Sequence, residues 1–285
     1  MSIYNINGNQ INSAYDRSQS VQVAYDINGN IVFQSITSLK VMSYNVGGWY
    51  IGSGENVPTA KKDLYYALQT GMIEDNDPDI LIIQEYLANF SADGTSALTM
   101  LQSLFPYVHT KTSGTYYGRA ICSKYPITNY TERQFTQETS RYFDSCTITV
   151  NNIPITVVNT HLGLTQANRT PEITQLIAYL NTLDTFVLGG DFNTGIVESS
   201  ASTSSESYIN NVKPFVDEGF NTANFGDFGF MVTCVDRTNN TPYYLDNIYT
   251  SSDISITDAY VDTTKLTDLI DDPIDHMPII AELTL

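Results

Sequence analysis

Asn45, Glu85, His161, Asp191, Asn193, Asp246, Asn247, Asp275 and His276 each follow or interrupt an apolar run, so each would sit on rigid backbone at the end of a strand. One such residue would mean little, since turns and helix caps use the same types. The recurrence along the chain is the signal. Of the three histidines, His109, His161 and His276, two belong to the set. The densest stretch is Phe186-Val187-Leu188-Gly189-Gly190-Asp191-Phe192-Asn193. Alternation along extended backbone points Asp191 and Asn193 one way and Phe192 the other. A carboxylate and a carboxamide side by side suit a metal-bound water and a phosphate oxygen.

The elements that must position these groups follow from the apolar pattern. Short apolar runs bounded by glycine read as buried strands rather than helices, and α/β sheets carry their sites beyond the carboxyl ends of such strands. Leu39 to Asn45 is one strand, followed by a glycine-rich aromatic loop through Trp49 and Tyr50 to Gly54. Helical spacing over Thr59 to Glu74 stops at Asp77-Pro78, and Ile80 to Glu85 is a second buried strand. A helix at Ala97–Leu104 leads to strands at Thr115–Ser123 and Tyr142–Val150. Asn151-Asn152 turns the chain into Ile153–Thr160, which ends at His161. Pro171 is placed at the start of a helix running to about Leu183. Ser199–Asn211 is a loop or frayed helix, and strands at Phe230–Val235, Tyr243–Tyr249, Ile254–Val261 and Met277–Leu283 close the chain. Strand–helix–strand units mixed with hairpins predict an α/β fold with mixed sheets.

The 285 residues suffice for one large core, and 42% hydrophobic against 15% charged residues favours a globular protein. Thirteen Lys and Arg against 31 Asp and Glu give a net charge of −18, which repels nucleic acid and anionic membrane at long range. Cys122, Cys146 and Cys234 lack metal-ligand spacing and read as small buried thiols. No apolar run reaches the ~20 residues of a membrane span, and residues 1–20 are polar without a charged-then-apolar leader. A soluble protein, cytoplasmic or virion-associated, is the expectation. Residues 1–36 form a separate appendage, because Tyr4-Asn5-Ile6-Asn7-Gly8-Asn9 nearly recurs as Tyr25-Asp26-Ile27-Asn28-Gly29-Asn30, and Asn-Gly is a strong hairpin signal. The expected reading is two small hairpins or a flexible tail, serving attachment or oligomerisation, with the main domain over 37–285.

Six stretches occur in a fixed order: Tyr44-Asn45, Gln84-Glu85, Asn159-Thr160-His161-Leu162, Gly190-Asp191-Phe192-Asn193, Leu245-Asp246-Asn247-Ile248 and Asp275-His276-Met277-Pro278. In this order, over roughly residues 39–285, the chain resembles the deoxyribonuclease-I-like endonuclease/exonuclease/phosphatase superfamily. Gly118-Arg119-Ala120-Ile121-Cys122-Ser123-Lys124-Tyr125-Pro126-Ile127 is similar to that family's strand and turn, as is Arg141 before its strand. The resemblance implies a four-layered α/β sandwich of two packed mixed sheets flanked by helices.

The resemblance also implies roles. Glu85 would bind a divalent cation, Mg²⁺ or alternatively Mn²⁺ or Ca²⁺, with Asn45 beside it and Asp275 near by; a hard ion of this kind takes oxygen ligands and keeps waters. Asp191 would orient or deprotonate the attacking water, and Asn193 would hold a non-bridging phosphate oxygen. His276, oriented by Asp275, would act as base or neutralise phosphate charge, while His161, paired with Asp246, would protonate the leaving oxygen. Arg141 would touch phosphate or make a strand-face salt bridge, as would Arg119, which stands where an apolar residue is expected. Trp49 and Tyr50 would stack on a base or sugar, or pack as a lid, and His109 has a structural or surface role.

A phosphodiester resists anionic attack until its oxygens are neutralised, and metal and imidazolium do that. Four carboxylates, Glu85, Asp191, Asp246 and Asp275, would need the same compensation to share one site. The implied function is a metal-dependent phosphohydrolase, first of all a nuclease or phosphodiesterase acting on nucleic acid. The alternatives are a phosphoinositide phosphatase or sphingomyelinase-like enzyme taking a phospholipid head group, and a non-catalytic binding or virion module on the same fold.

Overall fold

The computed structural model describes residues 38–49, 59–87, 90–92, 94–111, 118–136, 141–236, 240–265 and 275–285, together with strand segments at Ile3–Tyr4, Gln10–Ile11, Val23–Tyr25 and Ile31–Gln34. The strands of the main body are β1 (Ser38–Asn45), β2 (Ile80–Gln84), β3 (Tyr107–Lys111), β4 (Arg119–Ser123), β5 (Ile127–Gln134), β6 (Tyr142–Val150), β7 (Ile153–His161), β8 (Phe186–Asp191), β9 (Asn221–Thr222), β10 (Asp246–Thr250), β11 (Ser255–Val261) and β12 (Ile279–Thr284). Its helices are α1 (Thr59–Asn76), α2 (Ala97–Leu104), α3 (Gln166–Leu180), α4 (Glu206–Asn211) and α5 (Lys213–Asp217).

Two six-stranded mixed sheets result, ordered β11-β12-β1-β2-β4-β3 and β5-β6-β7-β8-β10-β9. Each holds one parallel pair, β1 with β2 and β7 with β8, among antiparallel neighbours. Period-two alternation decides what each strand face meets. Val41, Ile80, Ile82, Val157, Val187, Ile248 and Ile279 face inward and fill the space between the sheets. Met42, Tyr44, Leu81 and Ile83 face outward, in one cluster with Met72 and Ile73 of α1 and Leu101 of α2. Val158 and Leu188 face outward from the second sheet, in a cluster with Ile173 and Leu176 of α3 and Phe215 of α5. Helix, sheet, sheet, helix is the four-layered sandwich the sequence implies. Burying one such aliphatic side chain is worth roughly 1.5–3 kcal/mol, so the strongly patterned central strands dominate.

Several local expectations shift. α3 begins at Gln166, with the Thr165 side chain accepting from Asn168 N, so Pro171 lies inside the helix rather than at its first turn. Edge strands β3 and β5 were not anticipated, because their exposed, polar sequences show no apolar period. Phe230–Val235 contributes only a short strand, Cys234–Asp236, paired with Thr241–Tyr243. The strand expected from Thr115 is described from Arg119 onward. Near the amino terminus, Ile3–Tyr4 pairs with Gln10–Ile11, and Val23–Tyr25 with Ile31–Gln34, both antiparallel. The Asn-Gly pairs themselves, and Tyr50, lie outside the described residues.

Candidate active site

The inward alternation that builds the inter-sheet core ends, strand by strand, on a polar residue. Val41 is followed two and four residues later by Ser43 and Asn45, Val157 by Asn159 and His161, and Val187 by Gly189 and Asp191. In β10 the strand runs the other way and opens on Asp246, two residues before inward-facing Ile248. Strand register then aligns them: His161 is the partner of Asp191 and Asp191 of Asp246 across three adjacent strands. Asn45 is the partner of Gln84 in the facing sheet, and Glu85 follows immediately. His276 enters from the segment before β12, bridged to Cys234 and fixed by Met277 N donating to Thr233 O at 2.8 Å.

The two sheets are tied together just beneath this row. Gln84 Nε2 donates to Asn159 Oδ1 at 2.9 Å, and Asn159 Nδ2 donates back to Ile83 O at 2.8 Å. Gly189 allows the approach, since a Cβ there would come within 2.8 Å of Ile82 Cδ1 and 3.1 Å of Ser43 Cβ. A larger residue would need the Ile82 and Ser43 side chains to give way, so glycine eases this spacing.

Asp191 is the centre of the site. Its Oδ2 accepts from Asn45 Nδ2 at 3.0 Å and lies 3.3 Å from His161 Nε2 and 3.7 Å from His276 Nε2, while Oδ1 accepts from Asn193 N at 2.9 Å. Asn45 Nδ2 also donates to Glu85 Oε1 at 3.3 Å, and Asn45 Oδ1 accepts from Gly47 N. Only this orientation of the amide presents donors to both carboxylates, so Asn45 spaces Glu85 from Asp191. Glu85 and Asn193 both have left-handed backbone, with φ of 53° and 47°. An ordinary side chain at such a position costs about 1–2 kcal/mol, and asparagine tolerates it best. Asn193 Nδ2 donates to Leu162 O, securing the exit of β7.

The pairing of histidines with acids differs from the sequence expectation. His276 Nδ1 lies 2.8 Å from Asp246 Oδ2, whereas Asp275 Oδ1 accepts from the His276 backbone N–H. His161 meets Asp191 instead of Asp246, with Glu85 Oε1 at 3.9 Å. Register explains it: β8 separates β7 from β10, so Asp191 stands between His161 and Asp246. Asp275 sits near the Gly47 turn, 3.5 Å from where a Cβ of Gly47 would be.

Electrostatics separate the groups. Burial alone would lower His276, but Asp246, Cys234 and Asp191 together hold it well above its ordinary value, so it is an imidazolium. Burial, reinforced by the Arg141 guanidinium, pushes His161 down to about 3, so it is neutral. Burial would raise Asp191, but His161, His276 and hydrogen bonds from Asn193 and Asn45 keep it low and ionised. Burial pushes Glu85 up to about 7, with Asp275 and Asp191 adding to the rise and His276 opposing it. Asp246 rises to about 6 by burial, against the pull of His276.

Other sequence candidates fall outside the cleft. Trp49 is fully buried, edge-on to Tyr66 and Tyr86, so it is core and cannot stack on a ligand. Arg119 is buried in ion pairs with Asp144 and Glu132, so the strand's facing is settled by charge pairing. His109 lies against the Tyr130 ring at 3.5 Å between centroids. Asn247 Oδ1 accepts from Asn224 N, a structural use. All three cysteines are free and buried. Sequence reasoning missed Gln84 and Asn159 as the tie beneath the site; both stand in the quoted motifs, and their inward parity was the available signal.

The donor set fits a hard divalent ion. Glu85 and Asp275 offer carboxylate oxygens beside the Asn45 amide, the oxygen-rich set that such an ion takes. A second group, Asp191, Asp246 and His276, has ligand atoms within 4.8 Å of one another, and Asp246 Oδ1 is buried with no hydrogen-bond partner. His276, held protonated by Asp246, is poorly suited to ligate.

A four-layered sandwich with acids and imidazoles gathered at one end of the inter-sheet space defines the deoxyribonuclease-I-like fold class. The model of the Endonuclease/Exonuclease/phosphatase family matches residues 42–268, and the chain belongs to this family. Solved structures agree on the fold. An endonuclease/exonuclease/phosphatase from Bacteroides vulgatus superposes with a TM-score of 0.65 at 17% identity, covering 87% of this chain and 99% of that one. TDP2 from C. elegans gives 0.61 at 17% identity, covering 87% and 75%. The 3' phosphatase NExo from Neisseria, bound to product DNA hairpin, gives 0.62 at 18% identity, covering 85% and 98%. Comparison with curated proteins finds no match. No helix among the described residues is long and apolar enough to cross a membrane.

Proposed function

We propose that the chain is a divalent-metal-dependent phosphodiesterase that hydrolyses its ester by direct attack of water. The observation that carries this reading is the convergence on Asp191: Asn45, His161, Asn193 and His276, from four separate parts of the chain, all reach its carboxylate. Family membership and the phosphatase named among the structural neighbours support phosphoester hydrolysis as the reaction class.

Glu85 and Asp275, with Asn45 alongside, would hold the ion, which when bound supplies Lewis-acid neutralisation of a phosphoryl oxygen. The chain's own groups divide the remaining work. Ionised Asp191 orients the attacking water and accepts its proton. Asn193, its backbone fixed on Asp191, presents its amide edge to a non-bridging oxygen. His276, charged and aimed through Nε2 toward Asp191, offsets charge on the phosphoryl group and can give a proton to the leaving oxygen. His161, neutral, donates a hydrogen bond rather than a proton, which departs from the general-acid role the family likeness implies for it. Arg141, close enough to depress His161, adds positive charge to that side.

The test is hydrolysis of bis(p-nitrophenyl) phosphate with Mg²⁺ or Mn²⁺ and its loss on adding EDTA. Flat readings with every divalent ion tried would leave the binding-module reading instead.

A further inference from the structure

Beneath the site, the alternation that fills the inter-sheet space with aliphatic side chains gives way to a row of polar ones. In the first sheet, Arg119, Gln84 and Asn45 are side-by-side register partners across β4, β2 and β1. In the second, Asp144 and Asn159 are partners across β6 and β7, and Asp191 lies two residues beyond Gly189, the partner of Asn159 on β8. The two rows meet pairwise: Arg119 on Asp144, Gln84 on Asn159 at 2.9 Å, and Asn45 on Asp191 at 3.0 Å. All of these residues are buried.

The middle pair is the most constrained. Asn159 Nδ2 donates to Ile83 O at 2.8 Å and to Ala120 O at 3.2 Å, carbonyls of adjacent strands in the facing sheet. Those two acceptors fix the orientation of the Asn159 amide and leave its Oδ1 for Gln84 Nε2. Stability gives little reason for such a pair. Apolar groups of the same shape in both places would be nearly neutral, and Gln84 Oε1 is buried without a hydrogen-bond partner among the described residues. What the amides add is direction. Apolar contact between sheets is non-directional, whereas a hydrogen bond fixes distance and angle. Gln84 immediately precedes Glu85, and Asn159 lies two residues before His161 on the same strand. The link between the sheets is therefore made within two residues of groups that must meet across them.

We infer that Gln84 and Asn159 are positioning residues for the hydrolysis: their amides fix the Asn45 and Glu85 side of the site against the His161 and Asp191 side. This rests on the phosphodiesterase reading above and adds to it. A misplacement of about 1 Å between reacting groups costs on the order of 10²-fold in rate, so a link this close to the site acts on turnover more than on folding.

The experiment measures kcat and KM for bis(p-nitrophenyl) phosphate at saturating Mn²⁺, together with Tm and the folded fraction by circular dichroism. It compares the parent, the double variant Gln84→Met with Asn159→Leu, and Gln84→Asn. The double variant keeps the shapes and removes both amides, so its Tm should stay close to the parent's. Its kcat should fall about tenfold or more with KM held within about twofold, the mark of alignment lost only in the transition state. Gln84→Asn draws the amide back by one methylene and should show the same split; it decides the question if the double variant does not fold. A kcat of folded Gln84→Asn within about twofold of the parent's, or a loss that vanishes once rates are divided by the folded fraction, would overturn the inference while the parent's own activity upholds the phosphodiesterase reading. A folded parent that leaves the ester intact with every divalent ion tried removes both.

Discussion

His276 and Asp246, thirty residues apart in sequence, meet through Nδ1 and Oδ2 at 2.8 Å with both side chains buried. Breaking one partner of such a buried pair leaves the other charge uncompensated, at a cost of roughly 3–5 kcal/mol. Asp246→Asn keeps the shape and removes the charge. It should slow turnover by about 10² or more, the scale of acid–base groups, because His276 then falls back toward neutrality.

The same pair gives stability a definite pH dependence. His276 is raised in the folded state above its ordinary 6.5, so the folded protein binds the extra proton. That contribution is complete below pH 6.5 and fades as pH rises through the folded value. Thermal melts taken upward from neutral pH should therefore show the parent losing Tm faster than His276→Gln. Parallel slopes would mean that His276 is not held as a cation.

Glu85 supplies a second pH dependence, in metal binding. Pushed up to about 7 without a cation, it must shed a proton before it can ligate. Calorimetric titration with Mg²⁺ should show affinity falling as pH drops below 7 and protons released on binding. Glu85→Gln should weaken binding and flatten that dependence; unchanged affinity in the variant would place the ion elsewhere.

Asn193 separates strain from chemistry. Its φ of 47° suits glycine, and both truncations lose the hydrogen bond to Leu162 O, so Asn193→Ala should be less stable than Asn193→Gly by about 1–2 kcal/mol. Both should lose activity, since neither offers the amide. Full activity in the glycine variant would remove Asn193 from the reaction.

The centre of the molecule was legible because its strands are short, apolar and bounded by glycine or by a polar terminus. Ile80–Gln84 and Phe186–Asp191 are buried along their whole length, and nothing but a central strand fits them. The edges were not: Ile127–Gln134 reads as a polar linker because one side faces solvent and the pairing with Tyr142–Val150 is supplied by the sheet. The site residues were legible as a set, from their places at strand ends. Their pairing was not, because which acid meets which histidine depends on strand order, and β8 lies between β7 and β10 only in three dimensions. Trp49 was ambiguous for a related reason; a tryptophan in a glycine loop looks exposed until Tyr66 and Tyr86 are placed around it.

The repeated amino-terminal segment is proposed to be separable from the reaction. Removing residues 1–36 should leave kcat and KM for bis(p-nitrophenyl) phosphate within about twofold, as expected for sites that share no partners. A folded but inactive truncation would move the boundary into that segment.

The turnover of bis(p-nitrophenyl) phosphate by His276→Ala and Glu85→Ala at saturating Mn²⁺ tests most directly whether these residues share one hydrolytic centre. The predicted result is a loss of about 10² or more for the histidine variant, and for the glutamate variant a loss accompanied by a weakened metal requirement. Turnover by both folded variants equal to the parent's would contradict the claim that these residues converge on one hydrolytic centre.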